Sequence, residues 1–212
     1  MKLILLGAPG AGKGTQAARI SELLHIPVIS TGNILREAIR NQTETGMIAK
    51  AVIDAGNLVP DEVVVGIVAE RMQDPDCANG YILDGMPRTI PQIHALEERD
   101  ICVDSVISIE VDDETIEKRM TGRRVCLSCG ASYHIEAHPP KKDGICDVCG
   151  DALQIRSDDA PETVKNRLKV FHAETEVLKD HFAAQGKLKL VNGNQHIDSV
   201  TAQILKEIGV EV

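Results

Sequence analysis

The chain has 212 residues, a formal net charge of −9, two tyrosines, two phenylalanines and no tryptophan. That length suits one substantial core with an insertion or two, while the acidic average and scarce aromatics exclude a general nucleic-acid binder, which needs clustered cations and stacking rings. No run of about 18 apolar residues is present to span a bilayer, and the first apolar run stops at Gly7, too short for a signal-peptide core, so a cytoplasmic protein is expected.

In chain order, Lys2 to Leu6 reads as a short buried strand. Thr15 to Leu24 has helical periodicity, with Ala17, Ala18, Ile20, Leu23 and Leu24 on one face. Ile26 to Ile29 is a second strand. Thr31 to Arg40 and Thr45 to Ala55 read as helices, the latter ending at Gly56 as a C-terminal cap would. Asp61 is placed as the N-cap of the next helix. Tyr81 to Leu83 and Ser105 to Val111 are strands, with a helix from Ile90 to Arg99 between them and another from Asp113 to Met120. Residues 122 to 159 then turn rich in Cys, Gly, Pro, Asp and Lys and cannot build a sizeable core. One helix is predicted from Pro161 to Ala184, then a strand from Lys187 to Val191 and a helix from Ser199 to Ile208. Strands alternating with helices predict an α/β fold, a parallel sheet covered on both faces.

The segment Gly7-Ala8-Pro9-Gly10-Ala11-Gly12-Lys13-Gly14-Thr15 lies between the first strand and first helix, the context a phosphate-binding loop requires. Its glycines let several N–H groups converge, and the helix N-terminus adds partial positive charge. Lys13 is the candidate for the β- and γ-phosphates. The strict pattern wants Ser or Thr directly after the lysine; here Gly14 stands there, and Thr15 takes the phosphate and metal side.

The spelling GxPGxGKGTQ, which ends on Gln16, resembles the adenylate kinase family and its nucleoside monophosphate kinase relatives. Further motifs follow in family order: Ser30-Thr31-Gly32 running into Arg36, Asp84-Gly85-Met86-Pro87-Arg88-Thr89 with Gln92, Gly122-Arg123-Arg124, and Arg156-Ser157-Asp158-Asp159 with Arg167 beyond. The resemblance implies a P-loop five-stranded core over residues 1–29, 60–121 and 160–212. It also implies a helical AMP-binding insertion over 30–59 and a metal-binding lid over 122–159. Arg36 and Arg88 would then hold the AMP phosphate, with Arg123, Arg156 and Arg167 around the transferring group. Asp84 would orient magnesium through water, and Asp158 and Asp159 would latch the closed lid. The resemblance places Gly10 to Thr15, Arg119, Arg123, Ser132, Tyr133 and Gln195 on ATP. It places Thr31, Arg36, Asn57, Leu58, Val59, Gly85, Met86, Pro87, Arg88, Gln92, Arg156 and Arg167 on AMP. Thr31, Gln92 and the long lid favour AMP over UMP or CMP as acceptor. Two spellings depart from the commonest form: Asn33 for Asp, and Met86 for an aromatic.

The chemistry suits the residues. A phosphate oxygen is already anionic, so the work is positioning and charge neutralisation, for which arginine's planar fork is apt.

Cys126, Cys129, Cys146 and Cys149 form two CxxC pairs sixteen residues apart, the pattern of a four-thiolate structural metal site. Zinc is the default occupant, with iron or cobalt as alternatives. His134 and His138 are read as non-ligands, and Cys77 and Cys102 as packing residues. Reversible conversion of ATP and AMP to ADP by a monomer, with no membrane or nucleic-acid partner, is the expected activity. The rival readings are a zinc-ribbon module switched by ATP and an ATP hydrolase.

Overall fold

The computed structural model describes residues 1–210. Five strands, β1 (Lys2–Leu6), β2 (Val28–Ser30), β3 (Tyr81–Asp84), β4 (Ser105–Glu110) and β8 (Leu188–Asn192), form one parallel sheet in the order β2-β3-β1-β4-β8. Three short strands, β5 (Arg123–Cys126), β6 (Ser132–His134) and β7 (Leu153–Gln154), form a separate antiparallel sheet ordered β6-β5-β7. The centre of the large sheet is buried on both faces, where β1 is apolar from Leu3 to Leu6. Ile4 and Leu6 point to one cluster, with Val64, Val68, Ile93 and Phe182 from α4 (Asp61–Arg71), α5 (Ile90–Glu97) and α8 (Leu178–Ala184). Leu3 and Leu5 point to the other, with Ala17, Ile20, Val200 and Ile204 from α1 (Lys13–Leu24) and α9 (Ile197–Glu207). A third cluster joins α6 (Asp113–Gly122) to α7 (Pro161–Val170) through Ile116, Met120, Val164 and Leu168. Helices α2 (Thr31–Arg40) and α3 (Glu44–Asp54) fill the insertion after β2.

Strand β1 lies where the order reverses, since the chain moves to one side for β2 and β3 and to the other for β4 and β8. A crevice for ligands opens beyond the carboxyl ends of strands at such a point.

Several expectations shift locally. Pro60, not Asp61, occupies the N-cap of α4, and Asp61 turns its carboxylate to Thr89 and Gln92. Asp112 caps α6, accepting from the Thr115 N–H at 2.8 Å. The helix expected from Pro161 to Ala184 is interrupted by a π-turn at Phe171–Thr175, closed by the Glu176 N–H on Phe171 O at 2.9 Å. Leu23 is 48% exposed, so the buried face of α1 is Gln16, Ala17 and Ile20. Cys77 packs in the core as expected, but Cys102 is exposed.

Candidate active site

The loop after β1 has positive φ at Gly7 (139°), Gly10 (85°) and Gly12 (97°), backbone that L side chains rarely adopt. At Gly7 a Cβ would also lie 2.7 Å from Ile109 O. Gly12 is the N-cap of α1 and has no side chain to cap it. The first intrahelical bond is Gln16 N–H to Gly12 O at 3.0 Å, so the amides of Lys13, Gly14 and Thr15 form the donor-rich first turn. That is the geometry of a phosphate cradle. Lys13 Nζ donates back to Gly7 O (2.6 Å) and Ala8 O (2.9 Å), bracing the loop. Burial lowers its pKa to about 7; the Asp84 charge opposes this, and Arg88, Arg167 and Arg123 add to it.

Asp84 ends β3 beside this cradle, and a methyl group on Gly14 would lie 3.8 Å from Asp84 Oδ2. Ser30 Oγ donates to Asp84 Oδ2 at 3.2 Å and Thr31 Oγ1 to its backbone O at 3.4 Å.

Arginines converge from five separate segments of the chain. Arg123 donates through Nε and Nη2 to Asp159, and Arg156 through the same two atoms to Asp158. Arg167 Nη1 donates to Asp158 O at 2.9 Å and lies 2.8 Å from Asp158 Oδ2 and 3.4 Å from Asp159 Oδ1. Both carboxylates are buried. Arg88 Nε donates to Gly85 O at 2.8 Å, and Arg36 Nη2 to Asn33 Oδ1 at 2.7 Å. Burial lowers the pKa of Arg36 to about 9, aided by the charges of Arg156, Arg123 and Arg167 against Asp158. Burial likewise lowers Arg167 to about 10, and it lowers Arg88. With Lys13, six cations thus face three carboxylates, Asp84, Asp158 and Asp159. Such a surplus in a partly desolvated site attracts a polyanion strongly.

On the expected acceptor side, a cleft of about 510 Å³ is lined by Asn57, Leu58, Val59, Thr89 and residues of α7, including Asn166 and Lys169. Asn166 Nδ2 donates to Asn57 Oδ1 at 3.0 Å. Thr31 and Gln92 are buried. The Gln92 amide is engaged at both ends: Oε1 accepts from the Arg88 N–H at 2.7 Å, and Nε2 donates to Asp61 Oδ1 at 2.7 Å. Met86 is 1% exposed and packs in the main core as an unbranched thioether. The neighbouring Pro87 is buried. Asn33 holds Arg36 as a neutral acceptor.

On the donor side, Arg119 Nη2 donates to Gly193 O at 2.8 Å, two residues before exposed Gln195. Ser132 is exposed. Tyr133 is not open to a ligand through its side chain: it is buried, and its hydroxyl accepts from the Asp147 N–H at 2.8 Å.

The four cysteine sulfurs all lie within 4.8 Å of one another, with Cys126–Cys149 at 3.3 Å and Cys129–Cys146 at 3.5 Å. A tetrahedral ion with thiolate bonds of about 2.3 Å needs edges of about 3.8 Å, so the cluster fits a metal. The two CxxC turns are built alike. Gly130 N–H bonds Cys126 O at 3.0 Å and Gly150 N–H bonds Cys146 O at 2.9 Å, with both glycines at positive φ. His134 Nδ1 is taken by the Glu136 and Ala137 N–H groups at 3.1 Å each. Only Cys126, Tyr133 and Cys146 form the buried cluster of this segment, so a metal held there would compensate for the missing core.

The cysteine segment touches the insertion directly. Arg40 Nη1 donates to Leu127 O at 2.5 Å, inside the first CxxC turn, and Ser157 Oγ donates to Asp54 Oδ1 at 2.8 Å. The site is therefore closed over. Arg40 and Thr175 sit in no motif and carry no sequence signal, and Asp61, expected only as a helix cap, instead holds Thr89 and Gln92. Gln16, part of the loop spelling, ties α1 to α9 instead: its amide donates to Ile197 O at 3.0 Å and accepts from Thr201 at 2.8 Å.

A phosphate cradle at a sheet switch point, ringed by arginines and flanked by a second cleft, defines a nucleotide phosphotransferase of the P-loop class. Comparison with known proteins names the branch. A model of the adenylate kinase family matches residues 5–187. The adenylate kinase of Lachnospira eligens is 54% identical over 99% of this chain and all of its own length. Those of Caldicellulosiruptor bescii (53%, complete coverage of both chains) and Carboxydothermus hydrogenoformans (52%, covering 96% of this chain and 97% of its own) agree. The chain belongs to the adenylate kinase family, and it is a nucleoside monophosphate kinase with adenylate kinase activity.

Proposed function

We propose that this chain catalyses ATP + AMP = 2 ADP at the arginine cluster, with residues 30–59 as an AMP-binding arm and 122–159 as a lid. The observation that carries the reading is the convergence of Lys13, Arg36, Arg88, Arg123, Arg156 and Arg167, close enough to shift one another's ionisation, at the phosphate loop. The loop amides and Lys13 hold the β- and γ-phosphates, and Thr15 faces the metal side. Arg36 and Arg88 hold the acceptor phosphate. An oxygen of that phosphate attacks the γ-phosphorus, the bond to the β–γ bridging oxygen breaks, and ADP leaves on each side. No general base is needed, because the nucleophile is already an anion.

The carboxylates have a geometric role. A guanidinium has five N–H donors. Asp159 takes the Nε and Nη2 edge of Arg123, and Asp158 the same edge of Arg156. Each fork is thereby fixed with its remaining donors free for phosphate oxygens. Charge is neutralised without reorganisation at the moment of transfer. Asp84 is the residue that would hold magnesium, and the ion would supply further neutralisation of the triphosphate. Arg119 and the backbone near Gln195 and Ser132-Tyr133 receive the ATP base. Thr31, Gln92 and the backbone of Asn57, Leu58 and Val59 receive adenine of AMP. Cys126, Cys129, Cys146 and Cys149 would hold the lid metal, with zinc as the default and iron or cobalt as alternatives. Lid and arm closure excludes the water that would hydrolyse ATP. The protein acts as a cytoplasmic monomer.

The test is initial rate with ATP plus AMP, UMP, CMP or GMP, with Lys13→Ala as control. AMP is expected to be fastest and the control near background. UMP or CMP outpacing AMP would overturn the acceptor assignment.

A further inference from the structure

We propose that Thr175 is a positioning residue for Arg88, holding from behind the arginine that receives the acceptor phosphate. The inference rests on that reading of Arg88.

The backbone of Arg88 is gripped on both sides. Its N–H donates to Gln92 Oε1 at 2.7 Å, and its carbonyl accepts from Thr175 Oγ1 at 2.9 Å. Both partners are buried, Gln92 at 1% exposure and Thr175 at 6%. The side chain is then turned toward the site by its Nε bond to Gly85 O at 2.8 Å. Arg88 follows β3 in an irregular segment that ends where Thr89 caps α5. No ladder bond fixes its peptide, so these two side chains set where the long lever of Arg88 starts.

Thr175 reaches Arg88 because of the π-turn. A π-turn holds one residue more than an α-turn, which rotates the following chain by about 100° and re-aims side chains. Phe171–Thr175 is that turn: Phe171 fills the cluster between α6 and α7, and Thr175 Oγ1 donates to the carbonyl of Arg88. On its exposed side the turn is pinned by His172, whose ring bonds Glu176 Oε2 at 2.6 Å and Asp113 at 3.1 Å. A chain of contacts thus runs from the start of α6 through the π-turn to the acceptor-side arginine.

The experiment compares Thr175→Val, which keeps the shape and removes the donor, with Thr175→Ser, which keeps the donor. An orphaned Arg88 carbonyl lets the segment relax, and the KM for AMP is expected to rise roughly tenfold in the valine variant. The KM for ATP should stay within about twofold, and the serine variant should recover most of the loss. Arg88→Lys tests the underlying reading separately: unchanged KM for AMP there would remove the role of Arg88 itself. If Arg88→Lys weakens AMP but folded Thr175→Val keeps wild-type constants, or only melts earlier, the positioning role is refuted. Equal rises in both KM values would refute it too. If the valine variant does not fold, Thr175→Cys, with a weaker donor of similar size, gives the same comparison.

Discussion

Lys13 gives a direct handle on the electrostatics of the phosphate loop. Burial and the nearby arginines bring its pKa from the ordinary 10.5 to about 7, against the pull of Asp84. At pH 8 such a group is only about one-tenth charged. A triphosphate set beside it favours the ammonium form and returns the pKa well above 8. Binding should therefore take up about 0.9 proton at pH 8 and about 0.5 at pH 7. Titration calorimetry with the magnesium complex of a non-hydrolysable ATP analogue measures this, from the dependence of the heat on the buffer's ionisation enthalpy. The fully ionised ligand has no proton of its own to release at pH 8. Lys13→Arg, which stays charged, should abolish the uptake. The sign also fixes a stability trend. The folded, ligand-free protein sheds this proton near pH 7 while the unfolded chain keeps it to about 10.5, so this group's share of stability rises with pH across that window. Uptake below about 0.2 proton at pH 8 would show that Lys13 is already charged and refute the reasoning. Persistence of uptake in Lys13→Arg would assign it to another group.

Cys129→Ser, or stripping metal with a chelator, should abolish bound metal and lower the first melting transition by on the order of 5–10 °C, while a core transition survives; metal analysis with calorimetry checks both. For Asp158, burial alone would raise the pKa, but Arg167 and then Arg156 override it and hold the carboxylate well below its usual range. Its contribution is present above the ordinary carboxylate value of 3.8 and is lost as pH falls below it. Asp158→Asn should cost roughly 3 kcal/mol at pH 7 and flatten the acid limb of urea midpoint against pH. The Glu176 hydrogen bond, opposed by burial and aided by Asp113, raises the pKa of His172 above 6.5, so its NMR titration midpoint should lie above that value. The associated stability is full below 6.5 and is lost as pH rises past that midpoint, with Asp113→Asn lowering it.

Much of this was legible in sequence because the constraints are local. A glycine-rich turn between an apolar run and a helix has few other uses, and two CxxC pairs point at one ion. The alternation of strands and helices carried the sheet. What stayed hidden depends on where chains meet. Asp61 sits where an N-cap is expected, yet its carboxylate serves Thr89 and Gln92, partners 28 and 31 residues away. The π-turn at Phe171–Thr175 leaves no mark in the apolar period, so residues 161 to 184 read as one helix. Tyr133 falls in a stretch that resembles a nucleotide contact, and the packing of its ring with Cys126 and Cys146, in a segment with almost no other core, carries no sequence mark. Cys102 is apolar by type and exposed in place. In each case tertiary partners outweighed local pattern.

The central claim is that the arginine ring passes a phosphoryl group between two nucleotides and keeps water out. Phosphorus-31 NMR of the purified protein with magnesium, ATP and AMP tests it most directly. Two ADP are expected per ATP consumed, with ADP alone returning to the same mixture of ATP, AMP and ADP, and no inorganic phosphate. Release of inorganic phosphate at a comparable rate, or ATP consumption that does not depend on AMP, would contradict it.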